Sequence, residues 1–171
     1  MEKVDSVSNI NVINNESFIE LIHKRENKLY QIAYLYVKNE QDALEIVDET
    51  IYKAYLSRKK LKNPEYFNTW ITRILINTSI DYLRKRKKLL ILNEDICNGN
   101  IKSSNIEELI DLYDAIDNLD EKCKTVIILK YFESLSINEI SDMLDWSIST
   151  VKNILHKSLV TLRINLCEEG E

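Results

Sequence analysis

The sequence predicts an all-α protein made of two small helical domains joined by a flexible linker, with a helix-turn-helix in the second domain. Among 171 residues, glycine occurs twice and proline once, so residues that interrupt helices are nearly absent. Apolar residues recur at helical spacing along most of the chain, and no alternating strand pattern is found. This spacing is lost at 89–106, which contains Gly99 and several Asn and Ser residues. That stretch is therefore predicted to separate two helical units.

The distribution of charge supports the same division. The net charge is −5, but residues 58–88 carry ten basic and two acidic residues, whereas 89–145 carry four basic and thirteen acidic ones. A basic segment on an acidic protein is a local electrostatic footprint for an anionic partner. The predicted organisation is a disordered N-terminus at 1–14, a first domain at 15–88, a linker at 89–106 and a second domain at 107–168.

Three helices are predicted in the first domain. The first carries an apolar series from Phe18 to Tyr36, and Asn39 interrupts it. The second begins at Asp42. A loop at Pro64 follows, because proline lacks an N–H and restricts the residue before it. The third helix then ends in the basic run Arg84-Lys85-Arg86-Lys87-Lys88.

The segment 136–163 has the pattern of a helix-turn-helix, in which the second helix can lie in a DNA major groove. Ser136 and Glu139 form a capping-box pair that opens the first helix. The turn is predicted at Asp145-Trp146-Ser147, and the Ser147 hydroxyl is expected to cap the second helix through the amide of Thr150.

The second of these helices has one apolar and one polar face. Lys152, Asn153, His156 and Lys157 share the polar face, where two cations, an amide and an imidazole can contact phosphates and base edges. The alternative interpretation is an amphipathic helix whose polar face is merely solvated. This segment alone leaves both interpretations open.

Several functional classes are disfavoured. Three widely spaced cysteines without a CxxC pair, and two histidines far from them, argue against a zinc site or a disulfide framework. No glycine-rich phosphate loop, HExxH motif or catalytic carboxylate pair is found, so we expect no enzymatic activity and no cofactor. No apolar run is long enough to span a membrane and the N-terminus lacks a signal-peptide pattern, so a cytoplasmic protein without membrane insertion is expected.

Three stretches resemble the sigma-70 family, and specifically its small two-domain extracytoplasmic-function (ECF) sigma factors. DALEIVDETIYKAY is similar to the family pattern DAEDLVQEVFLRAW. YFNTWITRILINTSIDYLRKRKK is similar to F-x-x-W-L-x-x-I-x-x-N-x-x-x-D-x-x-R. The segment from LYDAIDNLDEKCKTV to LVTLR is similar to LxxLPxxxRxVxxLRYxxxLSxxEIAxxLGxSxxTVKxRLxRAxxxLR. The motifs stand in the family's order and cover about residues 18–167.

The resemblance implies a protein that binds core RNA polymerase through the β′ clamp and the β flap, and directs it to promoter DNA. It also implies an anti-sigma factor as partner. The first domain (region 2) would bind polymerase through Glu45, Asp48 and Glu49. It would bind the −10 element through Tyr66, Phe67, Asn68, Arg73, Asn77, Arg84, Lys85 and Arg86. The second domain (region 4) would read the −35 element through Ser149, Thr150, Lys152, Asn153, His156 and Lys157.

The sequence departs from the family pattern at a few positions in the second domain. Ile154 and Leu159 stand where relatives often carry Arg, which predicts weaker phosphate binding by this domain. Asp145-Trp146 replaces the usual Gly-Ile of the turn, and Asp120 replaces a Pro.

Two other functions compete with a sigma factor. One is a helix-turn-helix regulator that binds an operator without being a polymerase subunit. The other is a helical protein-binding module that has lost DNA binding. The basic run 84–88 and the match to region 2 favour the sigma factor, because an ordinary regulator needs neither.

Overall fold

A computed structural model of the chain describes residues 14–92, 112 and 114–168. Its α-helices in these ranges are α1 (Asn15–Val37), α2 (Glu40–Ser57), α3 (Phe67–Leu92), α4 (Glu121–Ile127), α5 (Ile137–Leu144) and α6 (Ile148–Glu168). Short 3-10 turns at Arg58–Lys60 and Pro64–Tyr66 precede α3, and a π-helical turn at Ile128–Phe132 continues α4. A further helical turn lies at 114–117. No strand occurs in these ranges, and the prediction of an all-α protein is confirmed.

Parts of the predicted organisation lie outside the described residues. These are positions 1–13 of the predicted disordered N-terminus and 93–106 of the predicted linker. Helix α3 continues to Leu92, past the boundary predicted at residue 88.

Asparagine side chains set the ends of the first helices. Asn14 Oδ1 accepts a hydrogen bond from the Ser17 N–H at 2.8 Å and caps α1. Asn39 Oδ1 accepts from the Asp42 N–H at 2.9 Å. Asn39 therefore caps the second helix as well as separating it from the first, and α2 begins at Glu40 rather than at the predicted Asp42.

The helix-turn-helix forms as its sequence predicts. Ser136 and Glu139 form both hydrogen bonds of a capping box at the start of α5. Asp145 ends α5 in the left-handed conformation, with φ of 55°. Ser147 Oγ accepts from the Thr150 N–H at 3.1 Å and caps α6.

The first unit, α1 to α3, is a three-helix bundle around an apolar core. Each helix contributes fully buried aliphatic side chains, including Leu29 and Ile32 of α1, Ile46 of α2, and Ile71 and Leu75 of α3. Burial of such side chains stabilises a domain by about 1.5–3 kcal/mol each before entropy is counted.

The core of the first unit continues into the second unit. Val126, Ile128 and Leu129, together with Ile140 of α5 and Val151 of α6, belong to the same buried cluster as the side chains of the bundle. A smaller cluster, which includes Ile116 and Leu162, lies within the second unit. The two units therefore pack directly against each other, a contact that the sequence analysis did not anticipate.

Polar side chains cross the junction between the end of α1 and α4. The Tyr36 hydroxyl and Thr125 Oγ1 share a buried hydrogen bond of 2.9 Å. Burial raises the pKa of Tyr36 well above its usual range, so this phenol stays protonated. Lys124, also buried, donates to the Leu35 carbonyl at 3.4 Å and to Asp117 at 2.7 Å.

Glu133, just after the π-helical turn, extends its carboxylate into the first unit. Its side chain is 5% exposed and forms an ion pair with Arg25 of α1, whose own side chain is 12% exposed. Arg25 also donates to Thr72 of α3 at 3.2 Å. Lys28 lies 3.7 Å from the other carboxylate oxygen of Glu133. This cluster joins α1 and α3 of the bundle to the second unit.

Asp120 organises the start of α4. Its carboxylate accepts from the Cys123 N–H at 2.8 Å and from Lys157 Nζ of α6 at 2.9 Å. The Cys123 amide first, and then Lys157, favour the charged form and lower the pKa of Asp120 to about 2. An aspartate at this position thus caps α4 and ties it to α6.

We expect Glu133→Ala to lower the free energy of unfolding by about 3 kcal/mol, because it leaves the charge of Arg25 buried without its main partner. Urea denaturation followed by circular dichroism measures the change. Glu20→Ala, at an exposed position of α1, is the matched control and should change stability by less than about 0.5 kcal/mol. Equal stability of the two variants would contradict a role for Glu133 in holding the units together.

We expect Asp120→Ala to cost about 1 kcal/mol near neutral pH, through loss of the helix cap. The folded-state pKa of about 2 lies below the usual value of 3.8. The charged carboxylate therefore stabilises the fold fully above pH 3.8, and this stabilisation is lost as the pH falls through 2. The difference in free energy of unfolding between Asp120→Ala and the unsubstituted protein, measured by urea titration, should therefore become smaller below about pH 4. A difference that stayed constant down to about pH 3 would contradict the electrostatic part of this role.

Candidate nucleic-acid interface

The polar face of α6 is open to solvent. Lys152, Asn153 and His156 are exposed, while Val151 and Ser158 on the opposite side are buried. Ser149 and Thr150 are also exposed, in the first turn of the helix. Unpaired amides at a helix N-terminus attract anions, so this end of α6 suits a phosphate.

Lys157 has an intramolecular partner on the same face. It is exposed, but its ammonium group lies 2.9 Å from the Asp120 carboxylate. The hydrogen bond that Lys157 donates to Asp120 raises the pKa of Lys157 and keeps it charged. A phosphate must compete with Asp120 for this cation, so Lys157 is less available to DNA than Lys152.

The two apolar departures in α6 have packing explanations. Ile154 is partly buried and packs against both apolar clusters. Leu159 lines an apolar groove of about 570 Å³ together with Ile116, Ile127 and Leu162. Arginine at position 154 would place a charge against apolar side chains, whereas Leu159 is 42% exposed and extends the apolar lining of the groove.

The basic end of α3 forms a second cationic surface. The side chains from Arg84 to Lys88 are all exposed. Arg86 pairs with Asp42 of α2 at 2.7 Å. Burial, followed by a hydrogen bond to Asp42, raises the pKa of Tyr82 to about 12. Asp42 thus anchors this end of α3 to α2, while Lys85, Lys87 and Lys88 extend a positive field.

Tyr66 and Phe67, both expected from the resemblance to bind the −10 element, have different environments. The Tyr66 side chain is 64% exposed, next to the exposed Asn68. Phe67 is 1% exposed and packs edge-on against Phe18 in the bundle core. The expectation that Phe67 contacts the −10 element is wrong for this structure, because the first residue of α3 points inward.

Three other predicted residues of α3 face the second unit. Arg73 pairs with Asp145 at 2.7 Å, and Arg84 pairs with Glu121 at 2.9 Å. Between these pairs, Asn77 lines a cavity of about 250 Å³ that Trp146 also lines. The basic residues of this face are evident from the sequence, whereas the acidic residues that oppose them, Asp145 and Glu121, are distant in sequence and carry no such signal.

The outer face of α2 combines carboxylates with apolar groups. Glu45 and Asp48 are exposed, whereas Glu49 is partly buried and pairs with Lys53 at 2.8 Å. The same helix exposes four large apolar side chains that the sequence analysis missed: Leu44, Tyr52, Tyr55 and Leu56. Three of them, Leu44, Tyr52 and Leu56, recur together with Asp48 at every fourth position, a signal that could have identified this stripe. An exposed apolar stripe of this kind is typical of a protein-binding surface.

The described parts of the chain contain neither a group of metal-ligating side chains nor a membrane-spanning helix. No cluster of three or more potential metal ligands is found there. No helix in these ranges is both long and apolar enough to traverse a lipid bilayer. Cys123 is buried as a free thiol, and Cys97 lies outside the described residues.

Sequence comparison finds two family models along the chain. The model described as Sigma-70 region 2 matches residues 21–89, and that described as Sigma-70, region 4 matches 109–162. RNA polymerase sigma factor SigV of Bacillus subtilis is 38% identical over 149 residues, which cover 86% of this chain and 88% of the relative. ECF RNA polymerase sigma factor SigW of the same organism is 28% identical over 168 residues, covering 88% and 89%.

Structure comparison finds the same fold. Sigma factor RpoE, solved with the anti-sigma factor NepR from Bartonella quintana, has a TM-score of 0.78 at 18% identity, covering 88% of this chain and 97% of its own. CnrH, solved with the cytosolic domain of CnrY, has a TM-score of 0.68 at 22% identity, covering 92% of each chain.

Proposed function

The chain belongs to the ECF subgroup of the sigma-70 family, and from this membership we propose that it binds core RNA polymerase and directs promoter-specific initiation at −10 and −35 elements. The observation that carries this function is the presence of two separate surfaces suited to nucleic acid on one chain, the exposed polar start of α6 and the basic end of α3. A regulator that uses only a helix-turn-helix needs the first surface but not the second.

The −35 element is assigned to α6. Ser149 and Thr150 lie where a phosphate can meet the helix N-terminus. Lys152, Asn153 and His156 project from the next turns, in the position of a recognition helix in the major groove. The amide of Asn153 can pair with a base edge, while Lys152 adds phosphate attraction or a base contact.

The −10 element is assigned to α3 and the turn before it. Tyr66 offers an exposed ring on which an unpaired base can stack. Asn68 and Asn77 can donate to and accept from base edges. Arg73, Arg84, Lys85 and Arg86 supply phosphate contacts, and the field of the whole basic run attracts the strand.

Two surfaces of the chain are proposed to bind core polymerase. The stripe of Leu44, Tyr52 and Leu56 on α2, flanked by Glu45 and Asp48, suits the β′ clamp. Such a surface combines an apolar centre with a charged rim, as protein interfaces do. The groove beside Leu159 suits an apolar segment such as the β flap.

A regulatory partner and a cellular location follow from the family. Because RpoE and CnrH were solved in complexes, RpoE with an anti-sigma factor, we propose an anti-sigma factor for this chain as well. Since a polymerase subunit acts where the chromosome is transcribed, we place the protein in the cytoplasm. Its role is non-enzymatic, because the polymerase supplies the chemistry of RNA synthesis.

Run-off transcription with purified core polymerase tests this function directly. Addition of the protein should yield discrete transcripts from a subset of a genomic promoter library, because two-element recognition selects few sites. Core enzyme alone is the control. Absence of protein-dependent transcripts across the library, with DNA binding retained, would instead favour an operator-binding regulator.

Two tyrosines form a matched pair for separating polymerase binding from −10 binding. Tyr52 on α2 and Tyr66 before α3 are each 64% exposed, so truncation should leave the fold intact in both cases. We expect Tyr52→Ala to weaken binding to core polymerase about tenfold, as loss of an interface aromatic does. Tyr66→Ala should leave that affinity unchanged.

For affinity to DNA, the two variants should show the opposite pattern. Tyr66→Ala should weaken binding to single-stranded −10 DNA about tenfold through loss of one stacking contact, and Tyr52→Ala should not. Polymerase affinity is measured by competition in solution and DNA affinity by fluorescence anisotropy. If each variant impaired both activities equally, the division of the first unit into two surfaces would be wrong.

A further inference from the structure

The turn of the helix-turn-helix lies against α3 of the first unit. The Asp145 carboxylate pairs with Arg73 at 2.7 Å, and Trp146 lines the cavity that Asn77 and Arg84 also line. At the start of α4, Glu121 pairs with Arg84 at 2.9 Å. Three of the residues assigned to the −10 element thus face the second unit of the same chain.

The residue at the tip of this turn is unusual for its backbone conformation. Asp145 has φ of 55°, the left-handed region that glycine adopts without steric cost. The family pattern has glycine at this position. Aspartate tolerates this region better than most residues do, but less well than glycine. Any advantage of aspartate over glycine at this position must therefore come from its side chain. Here that side chain reaches the guanidinium group of Arg73.

The neighbouring Trp146 fixes the turn in place. It is partly buried and packs against the apolar cluster that both units share. Its carbonyl accepts from Ser141 Oγ at 2.5 Å, and its ring lies 5.9 Å from the Lys122 ammonium. The carboxylate of Asp145 is therefore presented to α3 from an anchored backbone.

We propose that this turn is an intramolecular competitor of promoter DNA for the −10 surface of α3. The inference rests on the proposed function, since it takes α3 as the surface that binds the −10 strand. Carboxylates of Asp145 and Glu121 occupy guanidinium donors that DNA phosphates would otherwise use. DNA binding to α3 must displace them, so the packed arrangement lowers the affinity of the free protein for DNA.

The competition is weak enough to be reversible. The side chains of Arg73 and Asp145 are 47% and 76% exposed, so water and salt screen their attraction. Removing one such exposed pair should change DNA affinity about threefold.

A double-mutant cycle tests the proposal. Binding of a fluorescein-labelled random-sequence single strand of about 12 nucleotides is measured by anisotropy at low salt. Asp145→Asn keeps the size of the side chain and its tolerance of positive φ, and should bind this probe about threefold more tightly. Glu20→Gln removes the same charge at an exposed position of α1 that lines neither of the cavities beside Arg73, and should bind as the unsubstituted protein does.

The remaining variants are Arg73→Gln and the double variant Arg73→Gln/Asp145→Asn. Arg73→Gln should bind the probe more weakly, and Asp145→Asn should bring no gain in that background, because its effect acts through Arg73. Far-UV circular dichroism checks that every variant is folded.

The outcomes separate the two proposals. If Arg73→Gln weakens binding but Asp145→Asn binds no more tightly than Glu20→Gln, the competition is overturned and the −10 assignment stands. A gain by Asp145→Asn that persists in the Arg73→Gln background would overturn it as well. If Arg73→Gln binds the probe as tightly as the unsubstituted protein, the assignment of Arg73 to DNA fails, and the competition fails with it.

Discussion

The arrangement of the two units depends on the ion pair that the buried carboxylate of Glu133 forms with Arg25. A charge removed from water requires compensation, and this one has Arg25 of α1 as its ion-pair partner, with Lys28 nearby. Arg25 also reaches Thr72 of α3, so one carboxylate from the second unit is tied to two helices of the bundle. The apolar cluster around this junction, including Ile128 and Leu129, then packs without a break from one unit to the other.

Local backbone geometry directs Glu133 inward. The π-helical turn Ile128–Phe132 ends α4, the Glu133 N–H donates to the Ile128 carbonyl at 3.1 Å, and Ser134 has a positive φ of 56°. π-helical turns are uncommon, and here the extra residue per turn places the chain reversal next to α1. The position of α5 and α6 follows from this reversal. The helix-turn-helix therefore lies against α3 because of a turn that precedes it.

Local features of the fold could be predicted from the sequence, whereas contacts between distant segments could not. The capping box at Ser136 and the Ser147 cap depend on neighbouring residues, and both form as expected. The pair of Arg25 and Glu133 joins segments far apart in sequence, and periodicity carries no information about it. The same limit applies to the site: the basic residues of α3 were recognisable, but the opposing Asp145 was not. Phe67 shows a further limit, since a shift of one residue along the chain decides whether an aromatic side chain points inward, as Phe67 does, or outward, as Tyr66 does.

The departures from the family pattern share a physical theme, which is contact within the chain in place of contact with DNA. Asp120 caps α4 and holds Lys157, a cation of the recognition helix. Asp145 pairs with Arg73. Ile154 packs against the apolar core at a position where relatives often carry Arg. Each change lowers the positive charge that α3 or α6 can offer to a phosphate. Since affinity for the DNA backbone grows with the number of phosphates neutralised, we expect a protein with these residues to bind DNA weakly alone. We therefore expect its promoter selectivity to depend on the polymerase, which would add a third point of attachment and raise the effective concentration of both proposed DNA-binding surfaces.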